Sequence, residues 1–377
     1  MKARLGVLAA TAGVAFAVSP AGAEPMFLSR QYARCTSCHY SPTGGGLLTP
    51  YGRSLTREEL STSGRGHAAA SAPGQSGEEA FLWGVLGRGL GGLNLGIDVR
   101  PAHLDVRFPG GKLTRDFFMN TDLMAAYQVK GWTVYGELGR QPLSTGTRID
   151  SWEHWVGYQS QKGLGLRAGR FLPAYGIRFA DHTAFNRRPL GLDTFDQLYA
   201  LELSHTGARH LVQVAASPGR ADSIRNHDGL RAFTVSGRVQ LDLSPRTVLV
   251  ASGLFRGASQ LQARNGSTGL ALGFAPTPRL TIWTEGDAQF QQGSSGPPAY
   301  MVVNETAFEV FRGVWLKVSP QLRTILGDTS GGVFRIAFEL ALFPRTHWNV
   351  DLSHYRDRSR VNDVVTKTTL LQLHLYL

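Results

Sequence analysis

The sequence predicts an all-β chain that closes as an antiparallel transmembrane β-barrel of about 16 strands, preceded by a small N-terminal segment that carries a cofactor motif. Three observations lead there. From about Ala80 onward, apolar and polar residues alternate in short runs between turn residues, with no sustained helical period. Beyond Ala23 no apolar run has the length of a spanning helix, so a membrane could be crossed only by strands. The last residues alternate too, with Leu371, Leu373, Leu375 and Leu377 against Gln372, His374 and Tyr376.

The individual runs bear the same pattern. Phe334, Ile336, Phe338, Leu340 and Leu342 share one face, and Arg335, Ala337, Glu339 and Ala341 the other. Phe233, Val235, Val239 and Leu241 oppose Thr234, Ser236, Arg238, Gln240 and Asp242, while Trp348, Val350 and Leu352 oppose Asn349, Asp351 and Ser353. A soluble sheet would bury its apolar face in protein, whereas a barrel turns that face to lipid and keeps the polar one in its lumen. By this parity Glu137, Glu339, Asp351 and Arg335 line the lumen, where solvation accounts for them and no catalytic role is needed. Seventeen runs can be placed between 81–90 and 366–377. Bacterial barrels have even strand counts, so one early run is surplus.

The start of the chain has charged Lys2 and Arg4, an apolar run from Leu5 to Val18, and then Pro20-Ala21-Gly22-Ala23. This is the pattern of a secretory signal, residues 1–23, cleaved after Ala23. Cleavage lowers the formal charge from +11 to +9, with 37 basic against 28 acidic residues. The basic residues are scattered, without a Lys/Arg tract or a recognisable module, which argues against a nucleic-acid partner. In a barrel the excess favours anions in the lumen or acidic headgroups at the rim.

The chain has 2 cysteines, both in Cys35-Thr36-Ser37-Cys38-His39. Thiols at this spacing can each meet one vinyl group of a porphyrin, and the adjoining imidazole of His39 then falls under the iron as an axial ligand. The expected cofactor is one covalent haem c. A redox dithiol is the competing reading; half a zinc site is not, because no second cysteine pair completes it. For the second axial position the candidates within the segment are Met26 and His67, with a lumen-facing barrel histidine or no protein ligand as alternatives. Residues 24–79, rich in Gly, Ser and Ala after Arg65, form a haem-binding segment and linker too short for a core of its own. The barrel, residues 80–377, is therefore expected to complete the site.

After the motif runs Tyr40-Ser41-Pro42-Thr43-Gly44-Gly45-Gly46-Leu47-Leu48-Thr49-Pro50-Tyr51-Gly52-Arg53. Such a Pro/Gly run cannot stay helical, and it lets backbone pass close to a flat macrocycle. Over about Pro25 to Arg53, and most specifically in Cys35-to-His39 and Leu48-to-Arg53, the chain resembles the N-terminal part of outer-membrane monohaem cytochrome-porin fusions, including iron-oxidising members. The resemblance implies an outer-membrane location in contact with lipid, with the haem segment inserted from the periplasmic side. It also implies an extracellular electron donor or acceptor, Fe(II) among the candidates, and a soluble periplasmic electron carrier. Farther on, Arg167 to Gly176 resembles the Gly-Arg-Phe-x-x-Pro-aromatic-Gly region of phosphate-selective porin-like barrels. Arg178, Asp181, His182, Arg187 and Arg188 follow in a long connection, read first as turn and rim packing and second as an ion-selecting or substrate-docking element. The last strand resembles the C-terminal assembly signal of outer-membrane barrels, which more often ends in Phe than in Leu377.

No nucleotide-phosphate loop, His-Glu-x-x-His or Gly-x-Ser-x-Gly occurs in the chain. The expected function is therefore electron transfer across the outer membrane rather than enzymatic catalysis. The alternative is an anion-favouring porin whose haem segment is a structural or vestigial plug; a soluble periplasmic β-sandwich bearing haem is a third reading.

Overall fold

The structure is a computed structural model that describes residues 24–63, 92–143, 146–193, 196–219, 232–258 and 263–376. The signal segment 1–23, the linker with His67 and the run 81–90 lie outside the described residues.

The strands are β1 (Leu93–Phe108), β2 (Gly111–Val129), β3 (Trp132–Leu143), β4 (Gly146–Asp150), β5 (His154–Gln159), β6 (Leu164–Phe171), β7 (Leu198–Thr206) and β8 (His210–Ser217). They continue as β9 (Thr234–Ser244), β10 (Thr247–Arg256), β11 (Asn265–Thr277), β12 (Leu280–Gln291), β13 (Ala299–Phe311), β14 (Val314–Ile325), β15 (Asp328–Arg345), β16 (Trp348–Ser359) and β17 (Val365–Tyr376). The first pairs with the last, from Asp98 opposite Tyr376 to Arg107 opposite Lys367, so the sheet closes and has no free edge. β3 pairs with β4 through Gly139–Leu143 and with β5 through Trp132–Gly136. The two are halves of one stave, so the 17 strand segments of the sheet make a closed antiparallel barrel of sixteen staves. Closure is complete among the described residues.

The interruption between β4 and β5, at Ser151–Glu153, is an inward bulge of the kind that re-aims side chains. Trp152 and Glu153 are both buried, and Trp152 Nε1 donates to Asp122 Oδ1 at 2.7 Å. Elsewhere the alternation takes the expected sense. Val239, Leu241, Leu272, Phe338 and Leu352 are exposed on the outer wall, whereas Arg238, Gln240, Asn349 and Ser353 are buried inside. A belt of large apolar residues around the whole circumference far exceeds the patches of a few hundred Å² that soluble monomers expose.

The lumen is filled from two directions. Residues 24–63 enter at the end where Tyr376 and the short hairpin turns lie, touching Phe343, Pro344 and Arg312 there. The connection after β6 turns inward instead of packing on the rim. Tyr175 donates its hydroxyl to Asp287 Oδ1 (2.9 Å), Ile177 N donates to Glu285 Oε2 (2.7 Å), and Phe185 N donates to Gln321 Oε1 (3.0 Å). Leu28 of the N-terminal segment, Phe179 and Phe185 of the connection, and Val248, Val250 and Val303 of the wall form one buried apolar cluster.

Leu272, near the middle of β11 on the outer wall, tests which solvent this face meets. Replacing it with Arg should cost about 2–4 kcal/mol of folding free energy in phospholipid vesicles. Urea unfolding that shows no loss would refute a lipid-facing belt.

Candidate functional site

The motif is held in a compact local frame. A 3-10 turn over Cys35–Ser37 brings the backbone N–H of Cys38 (3.1 Å) and of His39 (2.9 Å) onto the Cys35 carbonyl. His39 then bridges antiparallel to Leu48, with Tyr40 N donating to Leu47 O at 3.1 Å. The chain thus doubles back, and Thr49 N donates to Cys38 O at 2.8 Å. Thr49 also caps helix α1 (Pro50–Leu55): its hydroxyl accepts from Gly52 N at 3.0 Å, and Pro50 starts the first turn. Gly52 lies flat on the motif, where a Cβ would stand 2.9 Å from Cys38 Cα and overlap the Cys38 carbonyl. The two most specific stretches of sequence are therefore two sides of one contact.

The glycine run borders the cavity described below at Gly45 and Gly46 and also approaches the barrel wall. Gly44, Gly45 and Gly46 have φ of 82°, 74° and 62°, a left-handed run that glycine tolerates. A Cβ on Gly46 would collide with the Tyr135 hydroxyl and the Glu137 carboxylate of β3, so these residues fit the backbone to the barrel wall. Tyr135 in turn accepts from Leu47 N at 3.1 Å and stacks on Trp155 with ring centroids 5.1 Å apart.

The remaining contacts fix the segment all round the lumen. Arg34 donates to Asp242 Oδ2 (3.0 Å) and to the Gly207 carbonyl (2.8 Å), and Arg30 pairs with the buried Glu309. Ser41 Oγ meets Glu153 Oε2 at 3.1 Å, which shows what the interrupted stave serves. Thr281 Oγ1 donates to Met26 O at 3.0 Å and Trp283 Nε1 to Pro25 O at 3.0 Å. Partners on so many staves supply the packing that fewer than 60 residues could not.

Between segment and wall lies a cavity of about 580 Å³, bordered by Cys35, Cys38 and His39 together. That volume is within the roughly 300–1,000 Å³ of small-molecule and cofactor sites. Cys38 and His39 are buried, Cys35 is half-buried, and both cysteines are thiols. Two thiols and an imidazole on the wall of one cavity are the donor set that covalent porphyrin attachment requires, and the residues fit such a group. Among the described residues no group of three or more His, Cys, Asp and Glu could hold a bare metal ion.

Met26 borders the cavity while packing against Leu60, Trp315 and Phe343. Glu137, Glu339 and Asp351 border it as parity predicts, and Arg335 lies inside, donating to Asp357 at 2.7 Å and to the Thr183 carbonyl at 3.0 Å. Of the basic connection, Arg178, Asp181, His182 and Arg187 reach the cavity, whereas Arg188 is exposed in a 3-10 turn. Burial pulls His182 below the usual imidazole range and Arg187 down to about 10. Sequence reasoning missed Arg53, a buried cation at the cavity wall whose pKa burial lowers to about 10, so that it stays charged at neutral pH. Its signal lay in the Leu48-to-Arg53 stretch. It likewise missed His374, which parity alone placed among the polar residues of the last strand.

No family model matches the chain, and no curated protein matches it in sequence. Solved structures do match in fold. Salmonella typhi OmpF in complex with daunomycin superposes with a TM-score of 0.61 at 9% identity, covering 76% of this chain and 97% of that one. Pseudomonas putida OprB gives 0.58 at 9% identity over 76% and 94%. The anion-selective porin from Comamonas acidovorans gives 0.54 at 10% identity over 76% and 99%. The fold is that of the porin-like outer-membrane β-barrels.

Gly52→Ala should force Cys38 and α1 apart. In the chain refolded without cofactor, maleimide should label Cys38 several times faster than in the parent or in Gly253→Ala, a glycine with open space around it. Equal rates would show that the contact does not hold the motif.

Proposed function

We propose that the chain is an outer-membrane electron-transfer protein in which a porin-like barrel holds a c-type haem segment at its periplasmic mouth. The observation that carries this reading is that Cys35, Cys38 and His39 border a single cavity enclosed by a lipid-facing barrel. In this assignment Cys35 and Cys38 would form the thioether links and His39 would ligate the iron, with Met26 as a candidate further ligand. Met26 borders the same cavity; His67 remains the linker alternative. Bound there, a haem would supply one-electron redox chemistry, without acid–base or nucleophilic steps.

The chain's own residues do the rest. The barrel wall provides passage across a hydrocarbon layer about 30 Å thick, which neither an extracellular donor nor a periplasmic carrier can cross. The docked segment and the inward connection narrow the lumen, favouring movement of electrons over wide solute flow. Arg53, Arg178 and Arg187 at the cavity favour anionic groups there. Electrons would enter from the extracellular side, with Fe(II) as candidate donor, and leave to a soluble periplasmic carrier.

A second reading is an anion-favouring channel in which residues 24–63 serve only as a plug. It is supported by the same arginines and by the fold shared with an anion-selective porin.

The readings separate by spectroscopy and conductance. Outer-membrane fractions from cells expressing the full chain with c-haem maturation should give a dithionite-reduced c-type spectrum that resists acid-acetone and disappears in Cys35→Ala/Cys38→Ala. Protein in the outer membrane without haem would sink electron transfer. Met26→Ala should turn a low-spin spectrum into a high-spin one if Met26 is the second ligand. Deleting residues 24–63 should raise single-channel conductance several-fold, and an unchanged conductance would mean that the segment does not occlude the lumen.

A further inference from the structure

The hairpin turns at the end where the segment docks carry a charge pattern that electron transfer does not use. Lys130 follows β2, Lys162 lies between β5 and β6, Arg209 between β7 and β8, and Arg279 between β11 and β12, while Arg345 closes β15; all five are exposed. The two other turns at this end hold Arg246 and Arg312, both half-buried. None of these turns contains an Asp or a Glu. Five of the seven hairpins at this end thus present an exposed cation, while Arg312 donates inward to the Ser61 carbonyl of the docked segment. The opposite rim is mixed in sign: Asp105 pairs with Lys112 at 2.7 Å, and Asp363 pairs with Arg358.

The depth of the ring is set by its neighbours on the outer wall. Trp132, Tyr158, Phe274 and Phe311 are exposed within a few residues of these turns, and Trp132 and Tyr158 lie 5.1 Å apart ring to ring. An aromatic girdle marks the boundary between hydrocarbon and headgroups. Lys130, Lys162 and Arg279, two, four and five residues from Trp132, Tyr158 and Phe274, stand at the level of lipid phosphates. A soluble partner would touch one sector of the mouth, whereas the exposed cations are spread around the perimeter, which is the shape of a lipid annulus.

We infer that this rim is a binding surface for anionic phospholipid headgroups, engaged turn by turn around the barrel. The inference rests on the membrane reading but not on the haem. Guanidinium and ammonium groups meet the phosphates as charge-assisted hydrogen-bond donors. The ring therefore gives this end of the barrel a preference for a phospholipid leaflet with negative charge.

The test uses the full chain in vesicles of brominated lipid, with quenching of tryptophan fluorescence reporting the lipids at the wall. Brominated phosphatidylglycerol should compete several-fold better than brominated phosphatidylcholine at low salt, up to about fivefold for one cationic contact. The preference should vanish at roughly 0.5 M salt and in Lys130→Gln/Lys162→Gln/Arg209→Gln/Arg279→Gln. If the fourfold variant does not insert, the salt titration of the parent chain decides alone. Equal binding of the two lipids by the parent, or a preference that the inserted variant retains, would overturn the proposal. So would capture of an acidic soluble protein by the rim in phosphatidylcholine vesicles with no preference for phosphatidylglycerol. Failure of the parent to insert into either vesicle would overturn the membrane reading as well, and is distinguishable because insertion is read before headgroup preference.

Discussion

A strand in hydrocarbon has no water to satisfy its backbone, and the pairing of β1 with β17 is the contact on which the rest of this molecule depends. With that ladder closed, every stave has a paired neighbour on both sides. Closure also creates a problem. Sixteen staves enclose more space than their own inward side chains fill, and this chain fills it with backbone from two other places.

The two fillers depend on each other. The N-terminal segment contributes Leu28 to the same apolar cluster as Phe179 and Phe185 of the connection, and Arg178 donates directly to the Gly44 carbonyl. Charges that would be costly when buried alone are paired across the boundary, Arg34 with Asp242 and Arg30 with Glu309. Of the four only Glu309 is fully buried, so loss of Arg30 would leave an uncompensated buried charge, whereas Arg34 and Asp242 are half-buried and partly screened by solvent. The segment is thus specified by the wall rather than by a core of its own, and the cavity beside Cys35, Cys38 and His39 exists only where the two meet.

Much of this was legible in the sequence, and the parts that were not have identifiable causes. Strand positions and facing follow from a period of two, which is why the sequence places Arg238 and Gln240 inside and Val239 outside, as the structure has them. The break at Ser151–Glu153 shows in the sequence only as a change of parity, from Ile149 outward to Val156 and Tyr158 outward; the residue that Glu153 turns to, Ser41, lies more than a hundred positions away. The connection after β6 was read toward the rim because loops usually run over surfaces. Its inward course depends on Glu285, Asp287 and Gln321 accepting its hydrogen bonds, and nothing local to the connection announces them.

The same division holds for the site. Sequence alone singled out the residues of the proposed haem site, since the Cys35-x-x-Cys38-His39 spacing is a property of adjacent side chains, and it determined the barrel through alternation. It also singled out Gly52, but without its reason. Only the tertiary structure decided that Gly52 packs against Cys38, that Gly46 fits against Tyr135, and that Met26 borders the same cavity as His39. Periodicity and motif spacing are encoded within a few residues, whereas the contents of a closed lumen depend on pairings across the whole circumference, which no local pattern carries.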